Sequence, residues 1–60
     1  DADIDFMTGM IAHHEGAIAM AKIGLAHGRD PVVRKLSEDI IAAQADEIRL
    51  MREWLAKRGH

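Results

Sequence analysis

No cysteine occurs anywhere in the chain of 60 residues, so disulfide staples and thiolate metal sites are both excluded. Aromatic residues are nearly as scarce, Phe6 and Trp54 being the whole set, and basic residues do not outnumber acids: the formal net charge is -2. A nucleic-acid partner needs a phosphate-neutralising surface or a base-stacking platform, and neither can be assembled from this set. Long apolar runs are missing as well. Ala17 to Ala21 is the longest, far short of the roughly 20 residues that cross a bilayer, so no membrane span is expected. The opening residues do not carry the charged-then-apolar pattern of an export leader, and the compartment is left open. Proline is used once, and a chain of this length forms one domain, residues 1–60. At 48% hydrophobic residues the chain is too apolar for disorder, yet a unit this small buries too little by itself to offset its conformational entropy. With thiol chemistry unavailable, self-association or a non-thiolate metal is the expected supplement.

What is present is helical. The stretch Gly28-Arg29-Asp30-Pro31 places a glycine suited to a helix end, an aspartate suited to an N-cap and a proline suited to a first helical position. Asp1, Asp3 and Asp5 lie at the positive end of the first helix, and His27 lies at its negative end. Arg52, Lys57 and Arg58 fall near the end of the second, before the terminator Gly59. The pattern predicts a helix over about 3–27, a turn at 28–30 and a helix over about 31–58. Gly9, Gly16 and Gly24 inside the first helix each cost about 1 kcal/mol against alanine, a cost that close helix approach would offset.

At about 100° per residue, Met7, Met10, Ile11, Ala17, Ile18, Ala21 and Leu25 form one stripe on the first helix, with His14 inside it. On the second, Val33, Leu36, Ile40, Ala43, Met51 and Trp54 form the stripe, Ile48 and Leu55 widen it, and Gln44 and Glu47 intrude. The opposite face of the second helix mixes Arg34, Lys35, Glu38, Arg49, Arg52 and Glu53, a solvent face rather than a membrane one. A short turn makes the helices antiparallel, and positions whose numbers sum to about 58 then lie at equal height. That sets His14 across from Gln44, Met10 level with Glu47 and Ile48, and Met7 level with Met51. Each stripe is wider than the arc one helix covers, so the expected fold class is all-α: an antiparallel helical hairpin that dimerises into a four-helix bundle.

The polar intruders suggest chemistry. A carboxylate within an apolar stripe must be paired or coordinated, because desolvating its charge costs several kcal/mol. One reading is structural: Glu47 and His14 pair across the hairpin, with Gln44 satisfying what is left, and the set specifies register. The other adds sulfur. Met10 with His14, and Glu47 with Met51, are each one helical turn apart on one face. Thioether with imidazole is the ligand set of a soft ion, above all cuprous copper, whereas imidazole with carboxylate suits iron or zinc. Each methionine alone is ordinary core filling, so the metal reading rests on the cluster Met7, Met10, His13, His14, Glu47 and Met51. His13 is its weakest member, about 100° around the helix from His14 and on an edge with Met10, Ala17 and Met20, where it serves a second site or meets a dimer partner. His27 and His60 read as solvated terminal histidines.

Catalytic patterns are wanting. Carboxylate-bridged di-iron bundles use Glu-x-x-His, and no glutamate here has histidine three positions on. His-Glu-x-x-His is unmatched, Thr8 and Ser37 lack a nucleophile context, and no phosphate-binding glycine pattern occurs. The expected activity is therefore binding, with no enzymatic step.

Asp5-Phe6-Met7, Met10-Ile11, His13-His14, Ala17-Ile18 and Met20-Ala21, followed by Leu36, Ile40, Gln44, Glu47-Ile48, Met51 and Trp54-Leu55, resemble the bacterial family known as domain of unknown function 305. The resemblance implies a ferritin-like helical fold, association with copper, and a periplasmic or secreted setting. It also implies a first motif of Met7, Met10, His13, His14 and Met20, a second of Gln44, Glu47 and Met51, and a single copy of a hairpin that longer members carry twice. A small copper-sequestering homodimer is the expectation that results. A metal-free helical interaction module and a ferritin-like iron oxidase are the alternatives.

Overall fold

The computed structural model describes residues 1–59; His60 lies outside them. Two α-helices of equal length, α1 (Ala2–His27) and α2 (Pro31–Ala56), pack along one another as a hairpin measuring 43 × 14 × 13 Å. No strand occurs among the described residues. Both starts are capped. The Asp1 side chain accepts from the backbone N–H groups of Asp3 (2.9 Å) and Ile4 (3.4 Å), and Asp30 accepts from Val32 (2.8 Å) with Pro31 next in line, as the turn chemistry predicts.

The ends differ from expectation in two respects. Gly28 is not left-handed: its φ of -67° and ψ of 141° are open to any residue. Glycine is required there because a Cβ would run into the carbonyl oxygen of Gly24, which already accepts from the Gly28 N–H at 2.8 Å. At the other end α2 stops at Ala56, two residues short, so Lys57 and Arg58 lie past the helix rather than in its last turn. Arg58 folds back, its guanidinium 3.5 Å from the centre of the Trp54 ring and its Nη1 donating to the Trp54 carbonyl. Gly59, at φ 79°, is the left-handed terminator.

Burial follows a 3-4 spacing along both helices. Ile4, Met7, Ile11, His14, Ile18, Ala21, Leu25 and Gly28 of α1 meet Ser37, Ile41, Gln44, Ile48, Met51 and Leu55 of α2, a heptad seam of the coiled-coil kind. The seam lies to one side of the expected α2 stripe. Ile48 and Leu55 are core, while Val33 (45% exposed), Leu36 (57%) and Ala43 look outward. Near the turn this rotation brings Gly24 of α1 close against Ser37 of α2. A Cβ on Gly24 would stand 2.7 Å from the Ser37 hydroxyl, and only the pairing of glycine with a small serine fits. The Ser37 hydroxyl donates to the Val33 carbonyl (2.8 Å), so it is spent on its own helix. Gly9 and Gly16 face open space, so the close approach expected of all three glycines holds within the hairpin for Gly24 alone. Arg34 closes the turn by donating to the carbonyls of Leu25 and Gly28.

Candidate metal centre

The register places His14 across from Glu47, one helical turn beyond the Gln44 that the equal-height estimate indicated. The same three-residue offset is seen near the turn, where Gly24 stands against Ser37. His14 sits at a seam position in the middle of α1, its side chain only 8% exposed, and its Nε2 lies 3.1 Å from Oε1 of Glu47. An ionised carboxylate only accepts, so Nε2 is the donor in this contact. The other ring nitrogen, Nδ1, is buried with no hydrogen-bond partner among the described residues. A buried polar atom in that condition costs about 1–3 kcal/mol.

Glu47 differs from the expectation of a carboxylate buried in the stripe. Its side chain is 55% exposed, and it stands at the rim of the seam with one oxygen reaching in to the imidazole. Being one step off the heptad, on the same edge as Ile40 and Trp54, it keeps most of its hydration and bears little of the desolvation cost of burial.

Around this pair the chain forms a hollow of about 210 Å³ lined by Phe6, Met7, Met10, His14, Glu47, Leu50 and Met51. Five of the six residues anticipated as metal-ligating thus share one wall: Met7 and His14 from the α1 seam, Met10 beside them, and Glu47 and Met51 facing from α2. Phe6 and Leu50 complete the mouth and were not anticipated. Their signal was present, since Phe6 lies one turn from Met10 and Leu50 one turn from Glu47 on the same flank. The sixth residue, His13, is elsewhere. Its ring is 6.1 Å from that of His14 at 63°, and it is exposed along a shallow groove with Ala12, Gly16, Ala17 and Met20. The 100° step around α1 that separates neighbouring residues is the reason.

No group of three or more His, Cys, Asp or Glu side chains able to hold an ion occurs among the described residues. Whatever donor set the hollow offers is therefore dominated by thioether sulfur, with one imidazole. On the opposite side of the hairpin Glu15 and Arg52 form an ion pair at 3.6 Å beside a shallow depression that Ile18 and Ile48 also line.

Fold and site define an all-α hairpin whose apolar seam is interrupted at mid-length by an imidazole–carboxylate pair walled in by methionine. The chain belongs to the family described as domain of unknown function DUF305, which matches residues 1–60. It is 39% identical over 56 residues to the uncharacterized protein L153 of Acanthamoeba polyphaga mimivirus, an alignment covering 93% of this chain and 37% of that protein. The chain thus spans little more than a third of the length of that relative. No solved structure matches it.

Proposed function

We propose that the hairpin captures a soft metal ion, copper before iron or zinc, in the hollow beside His14, and that it works as a binding protein rather than an enzyme. The observation that carries this reading is the state of His14. Its Nε2 donates to Glu47, while Nδ1 is buried with no partner among the described residues. Metal-binding histidines commonly donate their second ring N–H to a carboxylate, which fixes the tautomer and raises the basicity of the ligating nitrogen. Glu47 suits that orienting part better than direct ligation. Met7, Met10 and Met51 supply neutral, polarisable donors that favour cuprous copper over harder ions. A bound ion would supply the missing partner of Nδ1 and, by linkage, stabilise the folded state by about 2.7 kcal/mol at a hundredfold excess over Kd.

The hollow is open on one flank, and on that flank Met10, Ala17 and Gly24 of α1 and Ile40 and Trp54 of α2 are only partly covered. A second hairpin laid on it would make the ferritin-like four-helix bundle, so the proposal includes a homodimer. No helix among the described residues is long and apolar enough to cross a membrane. Export to a periplasmic or extracellular setting comes from the family resemblance alone.

A second reading has its own support. The His14–Glu47 bond is itself a cross-helix register lock, and a metal-free interaction module would need nothing more. One titration separates the readings. Metal-stripped protein is melted with cuprous, cupric, ferrous or zinc ions, alongside His14→Ala and Met10→Leu/Met51→Leu. Capture predicts a rise with cuprous ion that His14→Ala abolishes and the methionine pair weakens. Should no ion move the melting curve, the register-lock reading stands, and oxygen uptake with ferrous ion would bring back the oxidase.

A further inference from the structure

Beside the hairpin seam, α1 carries a second line of 3-4 spacing that α2 covers only in part, at the hollow by Phe6 and Met10 and at Ser37 by Gly24: Phe6, Met10, His13, Ala17, Met20 and Gly24, with Asp3 and His27 at its two ends. Phe6 is 61% exposed and Met20 75%, and between them runs the small-residue groove that holds His13, a hollow of about 620 Å³. We infer that this line is the self-association surface, and that two copies pair α1 against α1 in antiparallel fashion about a two-fold axis at the height of Glu15. The inference rests on the homodimer proposed above and specifies its face and direction.

Size complementarity supports the pairing. About that axis Phe6 comes opposite Gly24 of the second copy, His13 opposite Ala17, and Met10 opposite Met20, so a large side chain meets a small one or a flexible one in every layer. Parallel pairing would instead set Phe6 against Phe6. Charge supports the same direction. Asp3 and Asp5 at one end of α1, and Arg29 just past the other, have no ion-pair partner among the described residues. The antiparallel arrangement brings the acidic end of each α1 to the His27–Arg29 end of its neighbour and opposes the helix dipoles. Parallel pairing would put like charge on like charge.

The same axis serves α2. Carried across the hairpin by the level of His14 with Glu47, it falls within one residue of Ala45. About Ala45, Leu36 comes opposite Trp54 of the second copy and Ile40 opposite Leu50. Area agrees. The hairpin exposes 4479 Å², whereas a folded chain of 6.6 kDa exposes about 3,900 Å². Removing that excess from two copies buries roughly 1,200 Å², the lower bound of specific interfaces.

Sedimentation of the parent chain, Met20→Glu and Ile23→Glu tests the face. Ile23 is 63% exposed and lies off the line, so it controls for hydrophobicity and helix position. The expected result is a dimer whose dissociation constant rises about 100-fold in Met20→Glu, which buries an unpaired charge, and by under about threefold in Ile23→Glu. Direction is read by oxidative cross-linking in this cysteine-free chain. Mixed His13→Cys and Ala17→Cys chains should link to each other faster than either links to itself. A dimer indifferent to Met20→Glu, or one in which His13→Cys links to itself faster, overturns the pairing and leaves the homodimer standing. A parent that stays monomeric overturns both, and the copper-induced melting shift separately reports whether capture survives.

Discussion

The two helices have the same length and opposite characters. Over 26 residues each, α1 carries four Asp, Glu, Lys or Arg side chains and α2 carries nine. The second is an ordinary amphipathic helix, with one wet face and one seam. The first has a charged arc of Asp5, Glu15 and Lys22, and its remaining surface is mostly apolar or small, Asp3, Thr8 and the histidines apart. A helix of that kind needs partners on more than one side. In the hairpin α2 covers only the Ile4–Leu25 side. With that difference, every interior glycine lies in α1, where Gly24 makes a close approach to α2, and α1 supplies the imidazole and two of the three methionines at the hollow.

Substitutions can break this contrast. Ile48→Ala, at the buried centre of the α2 seam, should cost about 3 kcal/mol in chemical denaturation, enough to unfold much of so small a domain, whereas Val32→Ala, 74% exposed, should stay within about 0.5 kcal/mol. Next come the glycines of α1, where an identical change should have opposite signs. Gly24→Ala sets a Cβ against the Ser37 hydroxyl and should destabilise by about 1–2 kcal/mol despite better helix propensity. Gly9→Ala meets nothing and should stabilise by up to about 1 kcal/mol. Calorimetric melting of the two variants checks the sign. Asp30→Ala, which removes the cap of α2, should cost about 1 kcal/mol.

The smallest effect belongs to the solvated face of α2. There Lys35 is held above its ordinary pKa of 10.5 by its hydrogen bond to Asp39 and then by that carboxylate's charge. A raised pKa means that the pair's contribution is complete below 10.5 and fades as pH climbs past the raised value. Melting between pH 6 and 9 should therefore be the same in Asp39→Asn as in the parent, to within the small worth of an exposed pair.

Several features were readable residue by residue. Asp30 and Pro31 announced the second helix, because a side-chain acceptor followed by a residue without an N–H is a local signal that needs no tertiary context. Met7, Met10 and His14 were placed on one face of α1 by helical spacing, and the position of the turn set Met51 level with Met7. The rotation of α2 was not readable. Its apolar arc runs from Leu36 round to Ile48, and any part of that arc satisfies hydrophobicity equally. Gln44 and Glu47, one turn apart, were likewise equal candidates to face His14.

The chain's own order of residues determined that there are two helices, where each begins, and that an imidazole and two thioethers share one face of the first, since caps, turns and 3.6-residue periodicity act within a few positions. Tertiary structure decided which edge of α2 faces α1, that Glu47 holds His14 from the rim instead of being buried with it, and that His14 Nδ1 is left without a partner. Those outcomes depend on the close approach of α1 and α2 at Gly24 and Ser37. That contact joins residues thirteen positions apart, and no local preference encodes it.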